Sequence, residues 1–435
     1  MIDIRLLREK PAVIRQNMLK RGFKFDLDGL IKKDKEWRHH LKRLEELRHQ
    51  KNVITEEISK TKEKRNITKV RELSEHIKNT EEEVNKLRLE IDAAMMKLPN
   101  ILHPSVPKGN DEKYNKVLRK WGTPPKFKFK PLGHEELMEK LNLGDMERAA
   151  KISGSRFYFL KNELAIMDFG LMFFAIDQLT RKGYQFLYPP LMMRRKPYEG
   201  VVDLNDFENV MYKIQDEDLY LIATSEHPLV SMHMNEILDE KQLPIRYVGW
   251  STNFRKEAGS HGKDTKGIFR THHFNKIEQV VFSKPEESWE IFDELVKNKE
   301  EIVKKLEIPY RVVSICSGEL GSIAAKKIDI EGWMPAQKEY RELTSASNCT
   351  DYQARRLGIR YGLEGKKTTG YPHILNSTAI ATGRMMVAIL ENNQQADGSV
   401  KIPSALVPFM GGLKKISPRI EIPEKKDKKG KKKRK

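Results

Sequence analysis

Apolar positions recur at alternating steps of three and four along Val70, Leu73, Ile77, Thr80, Val84, Leu87, Ile91, Ala94 and Leu98, in a stretch nearly free of glycine and proline. That register is a heptad seam. A looser version precedes it in Trp37, Leu41, Leu44, Leu47, Ile54 and Ile58, with the polar segment KTKEKRNITK between the two. The pattern predicts two long helices between Asp34 and Leu98 that fold back as an antiparallel arm, each burying its seam on the other. Prolines in LPNILHPSVPKGN and WGTPPKFKFKP then end the helical run, which marks a connection and places a domain boundary near Asn110.

Beyond that boundary the periods are short and mixed. A helix is expected from about Leu164 to Lys182, followed in GYQFLYPPLM by a short strand entering the core, kept from extending by Pro189 and Pro190. DLYLIATSEHPLVSM and ILNSTAIATGRMMVAILENNQ each read as a strand running into a helix, with Thr224, Ser225 and Glu226 at one junction and Gly383 and Arg384 at the other. The span from Tyr247 to Phe282 reads as strand, glycine-rich basic loop AGSHGKDTKG, strand. Alternation in its second strand puts Arg270, His272, Phe274, Lys276, Glu278 and Val280 on one face, and Arg255 and Glu257 share a face of the first. From Phe274 to Glu278 the strand advances about 13 Å. That spacing suits a ligand with an aromatic base at one end and an ammonium at the other, as in an aminoacyl-adenylate. Taken alone the hairpin also suits a solvated basic edge, and the arm a homodimerising coiled coil.

Charge narrows the choice of partner. The 435 residues carry a formal net charge of +19 with 38% hydrophobic residues, so a globular chain with a polyanionic partner is expected. The segment KTKEKRNITK at the arm's tip is rich in cations, Lys60, Lys62, Lys64, Arg65 and Lys69, against Glu63 alone, and suits contact with a phosphate backbone. Nearly half of the net charge lies from Lys414 onward, in a tail ending KKDKKGKKKRK that is expected to be disordered. No apolar run is long enough to span a bilayer and no secretory apolar region opens the chain, so a soluble cytoplasmic protein with no membrane contact is expected. Cys316 and Cys349 form no CxxC pair, which excludes a disulfide framework and a thiolate zinc site. Glu342 stands three residues before Ser345; hard oxygen donors of this kind suit Mg2+ shared with phosphates.

The order of the arm, GSRFYFL, GYQFLYPP, LIATSEHP, FRKEAGSHGKDTKGIFRTHHFNKIEQ, RELTSASNCTDYQARR and LNSTAIATGRMMVAILEN resembles the seryl-tRNA synthetases, common non-zinc type, from the start to about Gly412. The resemblance implies an α+β architecture: an N-terminal tRNA-binding unit with the helical arm over residues 1–110, a class II catalytic domain with an antiparallel sheet and flanking helices over 111–412, and a basic tail over 413–435. It implies a homodimer joined through GYQFLYPP, and ATP, Mg2+ and L-serine as ligands. Arg255 would hold the α-phosphate, Glu257 the adenine, and Phe274 and Arg384 the two faces of the base. Lys256, Arg270, Thr271, Leu343 and Thr344 would complete the nucleotide site, with Glu342 and Ser345 on the metal. Thr224, Ser225, Glu226, Glu278, Asn376 and Thr378 would read serine. The arm would grip the long variable arm of serine tRNA, with selenocysteine tRNA a second candidate acceptor. His261, His272 and His273 are read as structural or loop residues. A catalytically silent RNA-binding paralogue is the competing reading, and Arg255, Glu257, Glu342 and Arg384 all being present speaks against it.

Overall fold

The computed structural model describes residues 1–61, 64–202, 207–257, 267–363 and 370–419. Two short helices, α1 (Ile4–Glu9) and α2 (Pro11–Arg21), lead into α3 (Leu27–Thr61) and α4 (Lys64–Lys97). The last two form the expected hairpin. Its helices reach closer to the tip than the polar segment suggested, because lysine and glutamate are good helix formers and nothing before Lys62 breaks the pattern. The seam is most deeply buried at Leu44, Thr80, Val84, Ile91 and Leu98. Ion pairs between Lys33 and Glu90 (2.6 Å) and between Arg48 and Glu81 (2.7 Å) cross the arm, and their opposite sequence order fixes it as antiparallel. Lys69 is exposed on α4. Lys62, and the side chains of Lys60, Lys64 and Arg65, lie outside the described residues.

Eight strands make the main sheet: β1 (Lys116–Trp121), β2 (Gln185–Leu187), β3 (Ile245–Phe254), β4 (His273–Ser283), β5 (Tyr310–Ser314), β6 (Lys326–Met334), β7 (Glu339–Asn348) and β8 (His373–Ala381). Their spatial order is β1-β5-β6-β7-β8-β4-β3-β2, antiparallel throughout except for the β2–β3 pair. Helices α5 (Asn162–Thr180), α6 (Glu226–Ser231), α7 (Ser288–Lys305), α8 (Tyr352–Leu357) and α9 (Thr382–Asn392) accompany it. Leu171, Phe174, Phe292, Leu295 and Leu390 from α5, α7 and α9 pack with Ile277, Val281, Ile328 and Ile330 on one sheet face. The opposite face is shared between a second apolar cluster, with Tyr247, Val280 and Phe282, and a group of polar side chains.

Three elements differ from expectation. The strand β2 is not a buried entry into the core but an exposed parallel edge, with Phe186 and Tyr188 facing outward. The tail starts later than Lys414, since Lys415 and Ile416 pair with Val400 and Lys401 and Ile416 is buried; residues 420–435 are outside the described chain. The second hairpin strand begins only at His273, so Arg270 and His272 precede it.

The base of the arm is fastened to the sheet domain by polar contacts. Arg21 donates to the carbonyls of Leu320, Gly321 and Ala324, and Asn100 Nδ2 donates to Ile323 and Cys349. From α8, Tyr352 Oη donates to Leu98 O (2.6 Å) and Arg356 Nη2 to Met96 O (2.6 Å). The Met1 amine donates to Tyr352 O. Its burial holds that ammonium well below its usual pKa.

Candidate active site

A cavity of about 590 Å³ opens on the polar part of the opposite sheet face, floored by β4, β7 and β8 and bordered by α6 and the Gly321–Ala324 loop. Strand alternation supplies Phe274, Lys276 and Glu278 to it, as the period of two requires. Val280 continues the same face into a second apolar cluster with Tyr198 and Phe282. Alternation fails elsewhere in an informative way. Glu342 and Ser345, three apart, should face opposite sides of a regular strand, yet both line the cavity. A bulge at Leu343 explains this: the register against β6 slips between Ile330 and Glu331, so one residue of β7 is left over. A second slip, between Thr378 and Ile380 of β8, brings Ala381 to the cavity together with Asn376 and Thr378. Arg384 then enters from the first turn of α9.

One end of the cavity is dominated by arginine. Arg255 follows β3, its backbone N–H donates to His272 O (2.9 Å), and its guanidinium lies 5.1 Å from the Phe274 ring centroid. Glu257 reaches the cavity through a left-handed backbone, φ 48°, rather than by strand alternation. Its carboxylate accepts from Arg270 Nε (2.5 Å), and Arg156 Nη1 donates to its carbonyl (3.0 Å). Arg384 Nη1 is 3.3 Å from the Glu342 carboxylate. Burial pushes the Glu342 carboxyl up, but Arg384 and Lys327 outweigh it and hold the pKa at about 2. Glu342 is therefore an ionised oxygen donor.

The other end is a carboxylate pair in unequal surroundings. Glu278 Oε2 is shared by Lys276 Nζ (2.6 Å) and Thr378 Oγ1 (2.9 Å). Glu226, at the start of α6, takes 3.0 Å from Gln353 Nε2. Burial, then the charge of Glu278, raises its pKa to about 7. A buried carboxylate lacking a full countercharge is poised to receive a cation.

Most of the anticipated residues converge here: Thr224, Glu226, Glu278, Asn376 and Thr378 at the carboxylate end, Arg255, Glu257, Arg270, Thr271, Phe274 and Arg384 towards the arginines, and 342–345 along β7. Two do not. Ser225 holds the N-cap position of α6 but makes no side-chain capping bond; its Oγ donates instead to Gly249 O (3.2 Å), facing β3. Lys256 is absent from the lining, its backbone N–H donating to Val210 O. The adenine sandwich of Phe274 and Arg384 is also not preformed: Arg384 lies 5.4 Å from the Phe269 centroid. Sequence reasoning missed Phe269, which directly precedes Arg270, and Lys327 of β6; both line the cavity. His272 and His273 stack with Phe157 and Tyr158 of GSRFYFL, and His272 Nδ1 lies 2.9 Å from Arg255 O. They brace the arginine's backbone. His261 and most of the loop AGSHGKDTKG fall outside the described residues.

This arrangement has known counterparts. Residues 1–102 match the seryl-tRNA synthetase N-terminal domain and residues 210–393 the tRNA synthetase class II core domain (G, H, P, S and T). A serine–tRNA ligase of Pyrococcus horikoshii is 50% identical over 96% of this chain and 98% of its own. One of Nitrosopumilus maritimus is 47% identical over 96% and 100%. The structure of the seryl-tRNA synthetase from Pyrococcus horikoshii complexed with ATP superposes with a TM-score of 0.93 at 49% identity, covering 97% of this chain and 100% of that one. The cytoplasmic serine–tRNA ligase from Naegleria fowleri in complex with AMP gives 0.88 at 40% identity, covering 97% and 99%.

Proposed function

The chain belongs to the seryl-tRNA synthetase family, and from that premise we infer that it activates L-serine with ATP and transfers the serine to tRNA. The serine carboxylate attacks the α-phosphorus as the bond to pyrophosphate breaks; a terminal ribose hydroxyl of tRNA then attacks the adenylate carbonyl and AMP leaves. Such transfers need positioning and charge neutralisation more than a proton-transferring side chain. The observation that carries the reading is the placing of an arginine cluster and a carboxylate pair at opposite ends of one cavity. In this reading Arg255 holds the α-phosphate, Phe274 the adenine with Arg384 swinging over it, and Glu257 the base's edge. Glu226 with Thr224 takes the serine ammonium, and the Glu278–Thr378 pair takes its hydroxyl. Asn376 lies beside them. Alanine has no hydroxyl to bond to that pair and forgoes the interaction, which is a ground for rejection. Glu342 and Ser345 suit Mg2+, since one ionised carboxylate and one hydroxyl on a common face match a cation that draws its remaining ligands from phosphates and water. Mg2+ would neutralise charge on the phosphates. ATP–pyrophosphate exchange with a panel of amino acids, followed by charging of serine tRNA and selenocysteine tRNA, tests the assignment; exchange with threonine or glycine but not serine would sink it.

The Glu226 carboxyl gives this role a pH signature. Below about 7 it is protonated and cannot hold an ammonium, while serine itself stays cationic at its amine. The KM for serine is expected to fall as pH rises from about 6 to 8, approaching tenfold per unit on the acid side, while the KM for ATP stays flat. Steady-state exchange kinetics across that range checks this.

We further propose that residues 1–110 bind tRNA, with the arm directed at the long variable arm, that residues 111–412 catalyse, and that the chain works as a cytoplasmic homodimer. Ile166, Phe169 and Phe173, on one stripe of α5, are each more than half exposed, and Phe186 and Tyr188 extend the apolar surface along β2. Patches of that kind favour a protein partner over water, and a second copy is the partner the family reading supplies. Phe173→Glu, which puts a charge in the stripe, is expected to shift the sedimentation coefficient from dimer to monomer. An unchanged coefficient would place the interface elsewhere.

A further inference from the structure

Behind the serine end of the cavity lies Gln353, fully buried on α8 and not itself part of the lining. Its Nε2 donates to Glu226 Oε1 (3.0 Å) and to Val201 O (3.3 Å). One amide thus ties the Glu226 carboxylate to the backbone of Val201, a residue of the cavity wall. The helix that carries Gln353 is itself held from both flanks. Tyr352 and Arg356 reach the carbonyls of Leu98 and Met96 at the base of the arm, Arg356 Nη1 also reaches Val202 O (2.9 Å), and Arg355 pairs with Asp3 (2.9 Å). A six-residue helix with this many outside anchors cannot shift without moving the arm's base.

We propose that Gln353 is a positioning residue for serine recognition, fixing the direction and the charged state of Glu226 from behind. The inference rests on the role given to Glu226 above. The amide matters because the surroundings of Glu226 are otherwise poorly matched to a charge: Glu278 faces it from β4 and opposes ionisation, Lys276 on the same strand and Arg255 after β3 favour it from farther off, and the Cys349 thiol is held protonated by burial. Gln353 is the neutral donor in direct contact. Losing one hydrogen bond to a buried charged group is costly because the group keeps its desolvation and loses its partner.

Gln353→Met keeps the volume and removes the donor. In ATP–pyrophosphate exchange by the full-length protein, the KM for serine is expected to rise about 10- to 100-fold, while the KM for ATP changes by no more than about twofold. The pH at which the serine KM levels off is expected to move upward from about 7 by about one unit. Gln353→Asn withdraws the amide by one methylene without leaving an apolar group at the site, and is expected to change the serine KM in the same direction. A serine KM and pH profile like those of the unmodified protein in both variants would overturn the proposal, as would an equal rise in the KM for ATP, the mark of general collapse. Should the unmodified protein show no serine-dependent exchange, it is the reading of Glu226 that fails.

Discussion

Arg255→Ala is expected to reduce serine-dependent ATP–pyrophosphate exchange by about 10³-fold or more, equivalent to about 4 kcal/mol of transition-state stabilisation. The guanidinium is buried, and that burial lowers its pKa, with Glu257, Glu342 and Glu278 opposing the shift. Desolvation of this kind strengthens the interaction with a phosphate that brings the missing negative charge. Among the described residues the side chain's hydrogen bond to the fold is a long one, 3.3 Å to Ala223 O, so its removal costs the fold little. Binding of tRNA through the arm should therefore survive. Arg255→Lys, which retains a charge but not the planar fork, is expected to fall between the two. Measured exchange in Arg255→Ala close to that of the unmodified protein would mean that the hairpin is not the phosphate clamp.

The second large effect separates activation from charging. The facing pair Arg48–Glu81 marks a rung at which the arm can be shortened, by deleting residues 49–80 and closing α3 onto α4 with a short glycine turn. Exchange is expected to stay within about twofold, since distant sites are nearly independent, while kcat/KM for tRNA charging falls by about 10²-fold or more with the lost phosphate contacts. A deletion carried through to Leu98 should behave differently. It would remove the Met96 and Leu98 carbonyls that hold α8, and with them the support behind the serine pocket. Retained charging by the shortened protein would show that the arm is not the tRNA grip.

The arm was legible because a coiled-coil seam is written in one dimension: Val70 to Leu98 face the partner helix whatever else the chain does. Phe274, Lys276 and Glu278 were legible for a similar reason, as alternate residues of one strand share a face. Ser225 misled because a hydroxyl at a helix start can turn either way, and Gly249 O decided it. The edge strand β2 misled because apolar residues exposed on a surface read in sequence like apolar residues facing a core.

By itself, then, the sequence determined what depends on local period and residue type: the arm, the strands, the cationic and anionic character of the site, and, through the order of its motifs, the family. Tertiary structure alone decided what depends on registers between strands and on burial. The bulge at Leu343 turned Glu342 and Ser345 to one side, the left-handed backbone at Glu257 aimed its carboxylate, and the enclosure of Glu226 beside Glu278 moved its pKa to about 7. Gln353 entered the site only through space, 127 residues along the chain from the carboxylate it holds. Such effects arise from groups brought together by folding, whose electrostatic interaction depends on separation and surrounding dielectric rather than on position in the sequence.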